Sequence, residues 1–244
     1  MKILNKSSRD KKQKRFKNLV LCLLAVIVTA GTVWGVFSIS WGPEIVNTSN
    51  LSSEFLLPDI PAYAEVQQYE RDSISYLMIR GYEMLLVNRT YHLPSDYGNG
   101  LTPETRAAYN AMAATATVAG HPIWIQSGYR SYWTQADLFV SNVGKYGSEE
   151  KANLICARAG QSEHQAGLAL DLAGSEGILT SGSPTGQWVS AHCAEYGFIL
   201  RYPEGKTWAT GYVFEPWHFR YVGVELAQIL TDSGLSVEEY AGLA

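Results

Sequence analysis

The run Gly167-Leu168-Ala169-Leu170-Asp171-Leu172-Ala173 has the composition of a short buried strand with one acidic side chain at its centre. A buried carboxylate is costly unless it is paired or bound to a cation. Any fold for this chain must therefore bring compensating charge to Asp171. His164 lies seven positions upstream, in a segment that reads as a turn into the strand. Alone, the pair also fits a hydrogen-bonded Asp and a surface His. A second stretch, Glu215-Pro216-Trp217-His218, adds another imidazole and another carboxylate. Pro216 rules out a regular helix centre there, so a strand or bulge can turn Glu215 and His218 to one cavity. Two imidazoles, one ligating carboxylate (Asp171) and a spare one (Glu215) match a catalytic zinc site, where three protein ligands leave a fourth position for water. An acid beside the metal but not bound to it is what a hydrolase needs to move protons. The plainer reading of Glu215 is an ion pair with Arg201 or Arg220. The sequence His-Glu-x-x-His is absent, so this is not a helix-borne zinc protease.

Arg130 follows the β-type run Ile123-Trp124-Ile125, within Ser127-Gly128-Tyr129-Arg130-Ser131. A guanidinium there can clamp a carboxylate or an oxyanion in bidentate fashion; a surface salt bridge is the alternative. His92, His121 and His192 lack ligand-like spacing and read as non-ligands. Trp188, Trp217, Tyr202 and Tyr212 read as core or cleft wall.

The chain's net charge of −4 hides an asymmetry: residues 1–17 hold eight Lys and Arg against Asp10 alone. The rest is acidic, which excludes nucleic acid as a partner. The basic arm leads into an uncharged run, Leu19 to Phe37, close to the ~20 apolar residues that span a bilayer as a helix. Residues 18–38 are therefore expected to be a single-pass anchor, with residues 1–17 cytoplasmic and the remainder outside the cell. A cleaved signal peptide is the rival; the length of the run and the lack of a clear Ala-x-Ala site favour the anchor. Residues 39–72 read as a linker, broken by Gly42-Pro43, Pro58 and Pro61. A flexible tether of that length reaches roughly 30 Å on average. Outside the membrane a Cys156–Cys193 disulfide is permitted, as are two separate buried thiols.

Residues 73–244 read as one α+β domain, a small antiparallel sheet flanked by helices and preceded by the transmembrane helix. Thr102-Pro103 opens a helix running to about residue 119, with Thr102 as N-cap and Pro103 at the first position. Further helices are expected near 133–144, 148–157, 188–196, 224–230 and 237–240, with strands at 123–125 and 198–201 and around 211–221.

Taken together, Ser127-Gly128-Tyr129-Arg130-Ser131, Ser162-x-His164-x-x-Gly167-x-Ala169-x-Asp171 and Glu215-x-Trp217-His218 resemble the zinc D-alanyl-D-alanine carboxypeptidases of the VanY type and the closely similar L,D-carboxypeptidases. The resemblance covers roughly residues 75–240 and includes Gly197-Phe198-Ile199-Leu200-Arg201-Tyr202-Pro203. It implies the hedgehog/D,D-peptidase fold, with Zn²⁺ held by His164, Asp171 and His218. It implies Glu215 as general base and then general acid, and Arg130 as substrate clamp and stabiliser of developing negative charge. Gln135, Ser162 and Tyr129 would be further substrate contacts. The implied substrates are peptidoglycan stem peptides, cut at a D,D or L,D bond next to the terminal D-alanine, by a monomer at the bacterial cell membrane. A non-catalytic zinc module that binds wall peptides, and a peptidoglycan endopeptidase, are the alternatives.

Overall fold

The computed structural model describes residues 66–244. The arm over 1–17, the anchor over 18–38 and most of the linker lie outside them. Among the described residues, no helix is long and apolar enough to cross a membrane.

The last residues of the stretch read as a linker over 39–72 form a strand instead. Strand β1 (Val66–Arg71) pairs antiparallel with β2 (Ile74–Ile79), and β2 with β3 (Tyr82–Leu85), as a three-stranded sheet. The β1 sequence Val-Gln-Gln-Tyr-Glu-Arg is mostly polar, and four of its six residues are exposed. It is recognisable only once β2, buried at Ile74, Leu77 and Ile79, is there to pair with it.

Helix α1 (Pro103–Val118) starts as expected: the Thr102 hydroxyl accepts from the Thr105 N–H, and Pro103 stands in the first turn. Strand β4 (Ile123–Ser127) and helix α2 (Tyr132–Tyr146), capped by Ser131, follow, and then the short α3 (Glu149–Asn153). The apolar run around Asp171 is β5 (Ala169–Gly174), next to a two-residue β6 (Gly177–Ile178). Helix α4 (Pro184–His192) passes through a 3₁₀ turn and Gly197 into β7 (Phe198–Leu200). The short α5 (Thr207–Thr210) precedes β8 (His218–Tyr221), and α6 (Val224–Ser233) and α7 (Val237–Tyr240) close the chain. Ser236 and Glu239 form a capping box at the start of α7.

The second sheet runs β4-β5-β8-β7, with β6 beside β5, and its pairs are antiparallel. The fold is thus α+β as expected, with two antiparallel sheets in place of one. Met112, Leu170, Leu172, Val189, Phe198 and Phe219 form one apolar core around the second sheet. Leu77, Ile79, Leu86, Leu226 and Leu230 form another, joining the first sheet to α6. Cys156 and Cys193 are both buried and unbridged.

Candidate active site

Register makes the site. Asp171, at the centre of β5, lies opposite His218 on β8 and opposite Ser127 on β4. A shift of one residue would send Asp171 to the other face. Glu215-Pro216-Trp217-His218 is a turn closed by the His218 N–H on the Glu215 carbonyl at 3.1 Å, so the carboxylate comes back over the strand end. His164 sits on the turn before β5, where the Gly167 N–H meets the His164 carbonyl at 3.1 Å. Gly167 is required here: its φ is +69°, and a Cβ would lie 2.1 Å from the Gly100 carbonyl oxygen.

The ligating atoms of His164, Asp171 and His218 all lie within 4.8 Å of one another. His164 Nε2 is 3.3 Å from Asp171 Oδ2, and His218 Nδ1 is 3.1 Å from Asp171 Oδ1. Two ligands about 2.0–2.1 Å from zinc at a tetrahedral angle are roughly 3.3 Å apart, a spacing that both His–Asp pairs match. The tautomers fit as well. Nδ1 of His164 must donate to the Gly128 carbonyl, 2.6 Å away, which leaves Nε2 for a metal.

The electrostatics separate the roles. Burial alone would raise the Asp171 carboxyl, but His164 and His218 outweigh it and hold it well below the usual range. Burial lowers His164, and Asp171 opposes that. Burial would lower His218 too, but Asp171 and Glu163 raise it to about 9. The Glu215 carboxyl is pushed up to about 7, chiefly by burial, against the pull of His218 and Arg130. Its Oε2 is 3.8 Å from His218 Nδ1, close to the donor cluster. A carboxyl poised near neutrality is suited to general base and acid work.

Arg130 reaches the same cavity. Its Nη1 donates to Gln135 Oε1 at 2.7 Å and its Nη2 to Ser127 Oγ at 2.9 Å; Nη2 is 3.7 Å from Asp171 Oδ2. The site residues His164, Asp171, His218, Glu215, Arg130, Gln135 and Ser162 all line one cavity of about 190 Å³. Gln135 is fully buried, and its carboxamide also donates to the Ala157 carbonyl at 2.6 Å, so it props Arg130. Tyr129 stands apart: its hydroxyl donates to the Gly98 carbonyl at 2.8 Å, and it is not among the residues lining the cavity. Tyr202, Tyr212 and Trp217 form cleft wall, as read from the sequence. His121 and His192 instead stack on Trp188, and His92 meets Gln161.

Glu163 was missed. It is buried, lines the cavity, and takes the two arginines that the sequence offered to Glu215: Arg201 Nε and Arg220 Nη1 both donate to its Oε1 at 2.8 Å. The available signal was an acid beside His164 and two arginines in β-prone segments.

Residues 98–224 match the family model described as VanY: D-alanyl-D-alanine carboxypeptidase. A D-alanyl-D-alanine carboxypeptidase of Enterococcus faecalis is 33% identical over 180 residues, covering 65% of this chain and 65% of that relative. The chain thus spans just under two thirds of that relative's length. Among solved structures, the LdcB LD-carboxypeptidase is similar with a TM-score of 0.67 at 38% identity, over 73% of this chain and 96% of that one. The vancomycin-resistance D,D-pentapeptidase VanY in complex with Zn(II) gives 0.59 at 32% identity, over 64% of this chain and 97% of that one. With the family model matched across more than half of its length, this chain belongs to the VanY carboxypeptidase family.

Proposed function

We propose that the chain is a zinc-dependent carboxypeptidase that removes the terminal D-alanine from peptidoglycan stem peptides. The observation that carries this reading is one cavity holding a His-Asp-His donor set beside the buried carboxyl of Glu215. His164, Asp171 and His218 would hold the zinc, which would acidify a bound water to a pKa of about 7 and polarise the scissile carbonyl. The rest falls to the chain's own groups. Glu215 accepts the proton of the attacking water and returns it to the departing amine. Arg130, fixed by Ser127 and Gln135, meets the negative charge of the substrate and of the reacting oxygen. A donor of that kind is worth about 3 kcal/mol in the transition state. Tyr202, Tyr212 and Trp217 wall the cavity and limit water around the reacting bond.

Of the two solved structures compared, the LD-carboxypeptidase LdcB at 38% identity, against 32% for the D,D-pentapeptidase, supports the L,D bond of a tetrapeptide. The basic arm and the apolar run before residue 38 support a membrane-anchored domain facing the wall. The test is to incubate zinc-loaded protein with defined tri-, tetra- and pentapeptide muropeptides, with and without chelator, and weigh the products. Loss of one alanine from the tetrapeptide, stopped by chelator and restored by zinc, is expected. Loss from the pentapeptide instead moves the assignment to the D,D bond. Peptides left intact by zinc-loaded protein refute the enzyme.

A further inference from the structure

Glu163 is almost completely buried, yet nothing in the hydrolytic scheme uses it. Its Oε1 accepts from Arg201 Nε and Arg220 Nη1, each at 2.8 Å, while its Oε2 faces His218 Nε2 at 3.4 Å. Both arginines are themselves held. Arg201 gives Nη1 and Nη2 to Glu238 at 2.9 and 2.6 Å, and Asn88 donates to Glu238 Oε1 at 3.1 Å. Arg220 Nη2 donates to the Leu85 carbonyl at 2.9 Å. A chain of fixed contacts therefore runs from Leu85 and Asn88, at the end of the first sheet, and from Glu238 on α7, to the far nitrogen of His218. All three of those residues lie outside the 98–224 segment that the family model matches.

We propose that Glu163 is the positioning residue for His218 and that the first sheet and α7 hold it in place. A carboxylate oxygen facing Nε2 accepts from it and leaves Nδ1, 3.1 Å from Asp171 Oδ1, for a metal. His164 is arranged the other way round, with Nδ1 tied to the Gly128 carbonyl and Nε2 free. The two ligand rings thus present opposite nitrogens to one ion. Glu163 can do this because Arg201 and Arg220, each donating to its Oε1 at 2.8 Å, fix the carboxylate with Oε2 towards the ring. On this view the first sheet and the C-terminal helix are parts of the metal centre, and a segment cut to 98–224 lacks them.

The inference rests on the zinc reading, and the experiment separates the two. Zinc dissociation constants are measured by competition with a chromophoric chelator on the whole protein, on Glu163→Gln and on Glu238→Gln. Circular dichroism verifies folding at the assay temperature. Glu163→Gln is expected to bind zinc about 10–100-fold more weakly, and Glu238→Gln more weakly by a smaller factor. A folded Glu163→Gln with wild-type zinc affinity, even one of lower Tm, overturns the positioning role and leaves a structural cluster. Histidine ¹⁵N spectra of the zinc-loaded wild type give an independent readout that needs no variant to fold. One ligand ring bound through Nε2 and the other through Nδ1 is expected; both bound through Nε2 overturns the inference. A wild type that takes up no zinc overturns the functional reading, and this inference with it.

Discussion

Glu163 and Glu215 line one cavity, are both buried, and have their carboxyls shifted in opposite directions. Glu215 is pushed up to about 7 because burial outweighs the imidazole and the guanidinium near it. Glu163 is buried more deeply, and burial is again its largest single influence, yet its carboxyl is held well below the usual range. The difference is contact. Two guanidinium groups sit on one oxygen of Glu163 at 2.8 Å, and Glu238 holds one of them from behind. For Glu215 the nearest cationic partner is His218, at 3.8 Å. Burial makes a carboxylate either a base or a strut, according to whether fixed cations touch it. One acid can then move protons while its neighbour stays a permanent anion.

The largest expected effect tests the base. Glu215→Gln should lower kcat on the order of 10³-fold while zinc stays bound, read by turnover and metal analysis on one sample. Undiminished turnover would give the proton transfer to another group and dissolve the contrast with Glu163. Next is Arg130→Ala, expected to lower kcat/KM on the order of 10²-fold, since a positioned donor is lost from the reacting oxygen. An unchanged kcat/KM would leave Arg130 a structural partner of Ser127 and Gln135.

The contrast also predicts opposite pH dependences of stability in metal-free protein. The carboxyl of Glu215 rises from 4.5 unfolded to about 7 folded, so the folded state binds the extra proton between those values. Stability should therefore fall as pH rises through that window, by about 3 kcal/mol. Glu215→Gln lacks this component, so its stability relative to wild type should climb by that amount between pH 4 and pH 8 in urea melts. Glu163 has the other sign: its contribution is full above 4.5 and is shed as pH falls below it. A flat difference between wild type and Glu215→Gln would show that burial does not govern Glu215. The smallest effect concerns zinc uptake. The His218 imidazole, at about 9 in metal-free protein, must release a proton to ligate. Zinc affinity should tighten about tenfold per pH unit up to about 9, as read by chelator competition in buffers of graded pH. No pH dependence would mean that His218 is already neutral.

Much of the site could be read from residues alone, because its members cluster in short segments whose chemistry is local. A proline between Glu215 and His218, a glycine at 167, and an Asp in an apolar run each carry a constraint spanning a few residues. The helix start at Thr102-Pro103 was legible for the same reason. Strand β1 was not: its polar sequence resembles a linker, and only pairing with β2 makes it a strand. Arg201 and Arg220 were offered to Glu215, because sequence separation does not show which acid a buried guanidinium meets. Tyr129, next to Arg130 in the chain, gives its hydroxyl to the Gly98 carbonyl, a contact 31 positions away that no local pattern announces.

From the chain alone came the donor types, their grouping in two segments, the spare carboxylate, and the family. Those properties reside in side-chain chemistry and near-neighbour spacing. Tertiary structure decided that Asp171 faces His218 across β5 and β8, that Glu163 takes both arginines, and that residues 85, 88 and 238 stand behind His218. Strand register and the pairing of buried charges depend on contacts between residues far apart in the chain, which the packed fold alone selects.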